Sequence, residues 1–354
     1  MTGAAKRLLG CGAAWRRSAA AVVPVASGVL VALGGGRAAG AQAGWSARAP
    51  TPANGGLSLI VEPGQGLSAI DRDVAAARTS VDVTMYELAD TTIEDELVAD
   101  ARRGVAVRVL LNGGYYGRGG FPENDAAAEY LRAHGVAVRS SPAVFALTHQ
   151  KTVTIDGRTS LVMTLNLTSR YYASSRDFAV VDTQPADVAA IEAVFDADWD
   201  GAPITPSAGS GDLVWSPGAL AEQLALIAGA RSTLAVENEE MDDSDVVAAL
   251  CAAARRGVGV HVVMTYAAEW RSALQQLAAC GVAVRTYAQD AALYIHAKAI
   301  VVDGREAFVG SQNFSWTSLQ ANRELGIVTT DTAIVGGVAA TLAGDYAGAS
   351  AFGG

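Results

Sequence analysis

A long internal duplication constrains the fold of this chain more than any other feature of the sequence. Three segments of the first half recur in the same order in the second half. They are ARTSVDV (77–83) with ARSTLAV (230–236), ARRGVAVRV (101–109) with ARRGVGVHV (254–262), and LRAHGVAVR (131–139) with LAACGVAVR (277–285). Small differences in the spacing between matched segments indicate loops of different length, which repeats tolerate. The sequence therefore predicts two similar halves.

Each copy has the pattern of an α/β unit. A β-branched run leads to a helical segment that ends at Ala-Arg-Arg-Gly, where glycine suits the helix C-terminus. A strand, a helix and another strand follow, and then a hairpin with an Asp-Gly turn at 156–157 or 303–304. Because strands and helices alternate, we expect the α/β class, with a mostly parallel sheet flanked by helices in each half. The two halves are expected to pack as a pseudo-dimer.

The first 43 residues differ from the rest in composition. A positively charged start precedes an uncharged apolar run at 18–36 and the small-x-small sequence Ala41-Gln42-Ala43. This pattern is typical of a signal peptide (1–43) cleaved after Ala43, and it predicts that the protein is secreted. The alternative is an uncleaved signal that anchors the protein in a membrane. The Gly/Pro/Ser-rich stretch 201–211 is typical of a linker, so we place repeat 1 at 44–205 and repeat 2 at 206–354.

Charge and cysteine content narrow the choice of partners. Removal of residues 1–43 takes away five basic and no acidic residues, so the net charge changes from −10 to −15. Such an acidic chain repels polyphosphate backbones, and nucleic acid is not expected as a partner. Beyond residue 43 the cysteines are Cys251 and Cys280, which form either a disulfide in an exported protein or two buried thiols.

The next matched segments carry chemically competent side chains. THQKTVTIDGRTS (148–160) and IHAKAIVVDGREA (295–307) place His, Lys and Asp at one spacing. Residues two apart on a strand share a face, so His149 projects with Lys151 and His296 with Lys298. A neutral imidazole can act as nucleophile or proton carrier, and an ammonium group can hold a phosphate oxygen. Two such pairs that meet across a pseudo-two-fold axis would flank one phosphate in a single shared active site.

The aspartates of the two motifs have a different position. Asp156 and Asp303 follow their histidines by an odd number of residues and lie in the hairpin turns. Parity therefore places them away from the histidine–lysine face. It predicts a scaffolding role, in which each carboxylate accepts backbone N–H groups of the turn.

Each half has a His-x-Lys pair followed, after four residues, by Asp and then by a segment that ends in Asn. This doubled motif, His-x-Lys-x4-Asp and then Gly-Ser-x-Asn, resembles that of the phospholipase D superfamily. The second copy has the complete pattern, with GSQN at 310–313 and Glu324 beyond it. The first copy departs from it at Met163, where the family favours glycine, and at Asp177, where the second copy has glutamate. The resemblance covers nearly all of the chain from about residue 55.

This resemblance implies a phosphodiesterase that uses no metal or other cofactor and works through a covalent phosphohistidine. It implies that His149 is the nucleophile and that His296 protonates the leaving alcohol, although the near symmetry allows the two roles to be exchanged. The implied catalytic motif residues are His149, Lys151, Asp156, His296, Lys298 and Asp303.

The same resemblance assigns roles to residues around the motifs. The groups implied to hold the non-bridging phosphate oxygens are Lys151, Asn166, Lys298 and Asn313. Asp177 and Glu324 would each accept a hydrogen bond from the far nitrogen of an imidazole and so orient it. Each of these two acids lies equally far along the sequence from the histidine of its own half.

The leading functional interpretation is a secreted phospholipase D that hydrolyses the head-group phosphodiester of phospholipids, with some transfer to alcohols. We expect a monomer that contacts a membrane surface transiently. Aromatic residues in the loop 112–121 and at Trp316 suit a lipid surface, and they would equally suit stacking on nucleic-acid bases.

Three alternative functions use the same residues or the same fold. An endonuclease of the superfamily is disfavoured by the acidity of the chain. A phosphatidyltransferase, as in cardiolipin synthesis, is disfavoured because we expect such enzymes to carry membrane segments beyond residue 43. A non-catalytic binding module is disfavoured because both motifs are intact.

Overall fold

A computed structural model describes residues 56–353 of the chain. The predicted signal peptide and its cleavage site at Ala43 lie outside these residues.

Within the described residues the chain forms the following elements. The strands are β1 (Leu57–Glu62), β2 (Ser80–Met85), β3 (Leu88–Ala89), β4 (Ala106–Leu111), β5 (Gly114–Tyr115), β6 (Arg118–Gly119), β7 (Ala137–Ser140), β8 (Thr152–Ile155), β9 (Thr159–Met163), β10 (Leu167–Thr168), β11 (Ser175–Asp182), β12 (Leu213–Ser216), β13 (Thr233–Glu237), β14 (Gly259–Thr265), β15 (Ala283–Tyr287), β16 (Tyr294–Ile295), β17 (Ala299–Val302), β18 (Glu306–Gly310), β19 (Glu324–Thr329) and β20 (Ser350–Ala351). The helices are α1 (Ser68–Ala75), α2 (Thr91–Arg102), α3 (Asp125–Ala133), α4 (Pro185–Asp200), α5 (Ala219–Gly229), α6 (Ser244–Arg255), α7 (Arg271–Ala279), α8 (Trp316–Gln320) and α9 (Thr332–Gly348).

Each half is built on one large sheet, and the two sheets share a strand order. The first runs β1-β11-β9-β8-β2-β4-β7, and the second runs β12-β19-β18-β17-β13-β14-β15 with β20 added at its edge. Every strand of the first path has its counterpart at the same place in the second. The prediction of two similar α/β halves is confirmed.

The strand directions correct the expectation of a mostly parallel sheet. β2, β4 and β7 run parallel, as do β13, β14 and β15. The strands on the other side of β2 and β13 pair antiparallel. Part of the reason is local, because each Asp-Gly turn folds the motif strand into an antiparallel hairpin (β8–β9 and β17–β18), whereas the direction of the next strand depends on its tertiary partner. Both sheets are therefore mixed.

The repeated Ala-Arg-Arg-Gly segments end equivalent helices. α2 begins at Asp90, whose side chain accepts the N–H of Thr92, and α6 begins at Asp243, whose side chain accepts the N–H of Val246. Shortly after these helices end, Gly104 and Gly257 both have φ of 90°, a left-handed conformation that favours glycine. The duplicated sequence thus specifies duplicated helix boundaries.

The antiparallel portions of the sheets face each other and join the halves. Phe178 and Val180 on β11 pack with side chains of β17, β18, β19 and α9 in one apolar cluster. Arg323 of the second half makes a buried, two-pronged salt bridge with Asp198 of the first, at 2.8 and 2.9 Å. Because this interface lies next to both motifs, the packing of the halves determines the geometry between the motifs.

The structure decides between the two interpretations of the cysteines. Cys251 on α6 and Cys280, directly after α7, form a disulfide. Between α4 and β12, residues 201–212 form no helix or strand. The repeat boundary at 205/206 within this segment stays a prediction.

Candidate active site

The two histidine–lysine pairs lie just before equivalent strands, β8 and β17. The N–H groups of His149 and Gln150 donate to the carbonyl of Arg323 in the other half, at 2.9 and 3.0 Å. Lys151 and Lys298 are almost completely buried, with 1% and 0% of their surface exposed. The charge of Lys298 acts on both His149 and Lys151, so the halves bring the two pairs to one place, as the pseudo-dimer prediction requires.

Each histidine is held by a carboxylate from the opposite half. His149 Nδ1 lies 3.0 Å from Glu324 Oε2 on β19, and His296 Nδ1 lies 2.8 Å from Asp177 Oδ1 on β11. The equal sequence distances suggested that each acid would orient the histidine of its own half, and the structure corrects this pairing. The carboxylates cross because β11 and β19 each pack against the motif hairpin of the other half. One consequence is that neither half alone contains an oriented histidine.

Further side chains hold these two carboxylates. Ser318 Oγ and Asn322 Nδ2 donate to Glu324 Oε1 at 2.6 and 2.9 Å, and Thr164 Oγ1 donates to Asp177 Oδ1 at 2.5 Å. Asp177 and Glu324 are 3% and 0% exposed, so neither is a surface carboxylate. A fixed acceptor at Nδ1 favours the tautomer that carries its proton there and leaves Nε2 for a substrate.

Burial and charge shift the titration of the first pair. Burial, and then the charge of Lys151, lowers the pKa of His149 to about 4, so its imidazole is neutral near pH 7. Burial, and then the charge of Lys298, lowers the pKa of Lys151 to about 7. Lys151 Nζ also donates to the carbonyl of His149 at 2.7 Å, and Lys298 Nζ donates to the carbonyl of His296. The arrangement provides a neutral nitrogen nucleophile beside two lysine amino groups, of which that of Lys151 is partly protonated near pH 7.

The two asparagines of the motifs are also buried at the ends of their hairpins. Asn166 and Asn313 are 6% and 4% exposed, and neither side-chain carbonyl oxygen has a hydrogen-bond partner. Buried polar atoms normally have partners, and a bound ligand would supply them. A carbonyl oxygen accepts hydrogen bonds and cannot hold a phosphate oxygen, so that role would fall to the amide NH2 groups, and it stays a prediction.

Asp156 and Asp303 do not belong to this site, which corrects their place in the implied catalytic set. They lie at the far ends of β8 and β17, roughly 20 Å of extended chain from the histidines. Asp156 accepts the N–H groups of Arg78, Thr79 and Ser80, and Asp303 accepts those of the matching segment 231–233. Both have a positive φ, 55° and 52°. Each carboxylate ties the hairpin turn to the chain that enters β2 or β13.

The scaffolding prediction for these aspartates therefore agrees with the geometry, with one difference. The bonded N–H groups belong to the segments before β2 and β13 rather than to the turn itself.

Sequence reasoning missed Tyr86 and Glu239. The ring of Tyr86 packs edge-on against His149 with centroids 4.6 Å apart and lies 5.0 Å from Lys151 Nζ. Glu239 Oε2 lies 3.5 Å from His296 Nε2 and 3.0 Å from Lys298 Nζ. Tyr86 follows β2 and Glu239 follows β13, at the same position of the repeat. This correspondence is the sequence signal that could have identified them.

A ligand set for a metal ion does not occur at these positions. Among residues 56–353, no group of three or more His, Cys, Asp or Glu side chains is arranged to hold a metal ion.

Exposed apolar side chains lie on the segments that border the site. Within residues 56–353 the exposed large hydrophobic side chains are Tyr115, Tyr116, Val144 and Trp316. Backbone hydrogen bonds from Tyr116 to Ala146 (2.8 Å) and from Ala146 to Ala321 (2.9 Å) connect these segments beside the motif of the first half. In the same residue range no helix is both long and apolar enough to span a bilayer.

Comparison with known proteins gives a family and several relatives. The family model described as "Cardiolipin synthase, PLD-like domain" matches residues 70–199 and 224–345. Cardiolipin synthase A of Salmonella arizonae is 26% identical over 341 residues, a match that covers 82% of this chain and 68% of that protein. Cardiolipin synthase A of Citrobacter koseri matches with the same identity and coverage.

Solved structures share the fold. Phosphatidylserine synthase of Haemophilus influenzae Rd KW20 superposes with a TM-score of 0.64 at 13% identity and covers 82% of this chain and 86% of that one. Polyphosphate kinase of Porphyromonas gingivalis gives a TM-score of 0.63 at 17% identity, over 81% of this chain and 46% of that one. At these identities the likeness shows the fold alone.

These relatives contradict the leading expectation from the sequence. A phospholipase D hydrolase was expected, whereas the relatives found by sequence are cardiolipin synthases and favour the phosphatidyltransferase alternative. The two reactions share every motif residue, so the motifs could not distinguish them. The choice had rested on the expectation that such transferases carry additional membrane segments, and the relatives found by sequence outweigh that expectation.

Proposed function

Because this chain belongs to the cardiolipin synthase, PLD-like domain family of the phospholipase D superfamily, we propose that it is a phosphatidyltransferase. It moves the phosphatidyl group of one phospholipid to a hydroxyl group of a second, as the formation of cardiolipin requires. The observation that carries the proposal is the pair of buried histidines, each oriented by a carboxylate of the opposite half, beside two buried lysines.

The first half of the reaction uses His149 as the nucleophile. Its neutral Nε2 attacks phosphorus, a nitrogen–phosphorus bond forms, and the bond from phosphorus to the head-group oxygen breaks. His296 enters this step with protons on both ring nitrogens and gives the one on Nε2 to the departing oxygen, while Asp177 stabilises the ring at Nδ1. Lys151 and Lys298 balance the charge on the non-bridging oxygens.

The second half reverses these steps with a different alcohol. His296 Nε2 takes the proton of the acceptor hydroxyl, whose oxygen attacks phosphorus while the bond to His149 breaks. Water that reached the same position would give phosphatidic acid. Whether an alcohol or water occupies the side of His296 therefore decides between transfer and hydrolysis.

Product analysis tests the proposal. The purified protein is incubated with phosphatidylglycerol vesicles, and the lipids and the released glycerol are quantified by mass spectrometry. We expect a lipid with two phosphatidyl groups on one glycerol, formed with an equal amount of free glycerol, and no product with His149→Ala or His296→Ala. Phosphatidic acid as the sole lipid product would overturn the proposal.

Two further proposals concern the setting of the enzyme. Export by way of residues 1–43 and a monomeric state both stay predictions. The disulfide between Cys251 and Cys280 supports export, because disulfides persist in oxidising compartments.

A further inference from the structure

The candidate site is nearly symmetric, and one pair of matched residues beside the histidines differs in chemical character. Tyr86 and Glu239 occupy the same repeat position, and each contacts the histidine and the lysine of its own half. One side of the site therefore presents an aromatic ring and the other side a carboxylate.

Glu239 is held firmly on the His296 side. Its Oε2 is within 3.0 Å of Lys298 Nζ and 3.5 Å of Asn313 Nδ2, and its Oε1 accepts the hydroxyl of Tyr294 at 3.0 Å. Its side chain is 12% exposed. Although burial opposes ionisation, Lys298 and His296 hold the pKa of Glu239 well below its ordinary value. The group is a fixed carboxylate next to the nitrogen that exchanges protons with an alcohol.

This position has a consequence for the alcohols that bind. In the proposed reaction the leaving and the incoming alcohol both lie beside His296 Nε2, opposite the nucleophile His149. Lys298 donates two of its three N–H groups, to Glu239 and to the carbonyl of His296, so a phosphate oxygen can take the third. Each oxygen of a carboxylate accepts more than one hydrogen bond, so Glu239 can also accept one from the alcohol.

The chemistry of the neighbouring groups restricts the alcohol further. The carbonyl oxygen of Asn313 is a second buried acceptor with no partner. These two acceptors need hydrogen-bond donors from the ligand. An alcohol offers a donor besides its reacting hydroxyl only when it carries another hydroxyl or an ammonium group. Lys298 already balances the charge of Glu239 and would repel a second cation. A head group that is itself anionic would be repelled by the carboxylate.

We propose that Glu239 selects the alcohol, and that it favours neutral alcohols with a second hydroxyl group near the reacting one, such as glycerol and glycerol-ended head groups. This inference rests on the proposed function, and it assigns acceptor selection to a residue outside both motifs. Tyr86, on the nucleophile side, takes no part in this selection.

Competition between two acceptors tests the selection directly. Phosphatidylglycerol vesicles are incubated with equimolar deuterated glycerol and ethanol, and mass spectrometry gives the ratio of deuterated phosphatidylglycerol to phosphatidylethanol. Both products come from one covalent intermediate, so their ratio does not depend on how fast that intermediate forms. The wild-type protein is expected to favour glycerol.

Three variants distinguish the outcomes. Glu239→Leu removes both acceptor oxygens, and we expect the ratio to fall about tenfold, as the loss of a hydrogen bond to a charged group implies. Glu239→Gln keeps a neutral acceptor and should lower the ratio about threefold, which provides the test if Glu239→Leu does not fold. Tyr86→Leu is the matched control, with slower turnover and an unchanged ratio.

The results separate this inference from the proposed function. Transfer products in wild-type proportions from both Glu239 variants would overturn the inference alone. An equal fall of the ratio in Tyr86→Leu would also overturn it, because the effect would then not belong to the His296 side. No transfer product from the wild-type protein with either alcohol would overturn the proposed function, and the inference with it.

Discussion

Asp303 is conspicuous in the motif, and we predict that its replacement changes stability rather than chemistry. Its carboxylate accepts the N–H groups of Arg231, Ser232 and Thr233 and the hydroxyl of Ser232, at 2.7 to 3.0 Å. These bonds lower the pKa of Asp303 from 3.8 to about 2, although its partial burial opposes the shift. A shift of this size in a buried group would correspond to about 2.5 kcal/mol. Solvent screening at this accessible position reduces it to about 1–2 kcal/mol.

The backbone adds a second contribution. Asp303 has a φ of 52°, in the left-handed region that asparagine tolerates and alanine does not favour, at a cost of about 1 kcal/mol. We therefore expect Asp303→Ala to lower the free energy of unfolding by about 3 kcal/mol, and Asp303→Asn by about 1–2 kcal/mol. Because the folded-state pKa is depressed, this stabilisation is present above about pH 4 and is lost as the pH falls to about 2.

Urea unfolding followed by circular dichroism at pH 7 and pH 3 measures both effects. Asp290→Asn is the matched control, because Asp290 is exposed, and a surface change of this kind alters stability by less than about 0.5 kcal/mol. The folded Asp303→Asn protein should retain the wild-type turnover. A variant with wild-type stability and no activity would refute the scaffolding role and return Asp303 to the catalytic set.

Three other predictions concern pH, the lipid surface and the disulfide. The value of kcat/KM should fall below about pH 4, where His149 becomes protonated, and above about pH 7, where Lys151 loses its proton; a flat profile between pH 5 and 9 would contradict this. Trp316→Ala removes an exposed aromatic side chain beside the site. It should lower the turnover of vesicle phospholipid about tenfold and that of a soluble diester less than about twofold. Equal losses would show that the residue does not act at the lipid surface. Reduction of the Cys251–Cys280 bond, which spans 29 residues, should lower the free energy of unfolding by about 3–4 kcal/mol. Activity should be retained under native conditions. An unchanged urea midpoint after reduction would contradict this prediction.

The repeated sequence made much of the fold predictable. Matched segments gave two α/β halves, the helix ends before Gly104 and Gly257, and the hairpins at the two Asp-Gly turns. Local rules of this kind depend on neighbours in the sequence, and one chain provides them twice. The mixed strand order could not be derived in the same way, since the direction of the strand after each hairpin depends on its tertiary partner.

The site was predictable within each half and not across the halves. The two-residue spacing correctly placed His149 beside Lys151, although both lie just before β8 rather than within it, and the odd spacing placed Asp156 away from them. The exchange of Asp177 and Glu324 between the histidines depends on how the two sheets pack, and equal sequence distances carry no information about that packing. Glu239 escaped notice because it belongs to no motif, and its importance appears only when its contacts are compared with those of its repeat partner.

Met163 shows how the structure accommodates a departure from the motif. At the matched position a side chain on Gly310 would meet Gly326 Cα and the ring of Phe308. In the first half, Met163 pairs with Ala179 and is fully buried in the core. The two hairpins thus fill the same space with different residues, and both keep the following asparagine buried.

The most direct test of the account is to isolate the covalent intermediate on His149. In His296→Ala, a phosphatidyl donor with a p-nitrophenyl leaving group should still react, because p-nitrophenolate departs without a proton from His296. Breakdown of the intermediate should be slow, since the base that activates the acceptor is missing. The account predicts a burst of p-nitrophenolate equimolar with enzyme and, after an alkaline quench, a phosphatidyl adduct on the peptide that contains His149. Steady release without a burst, with no adduct on His149, would contradict it.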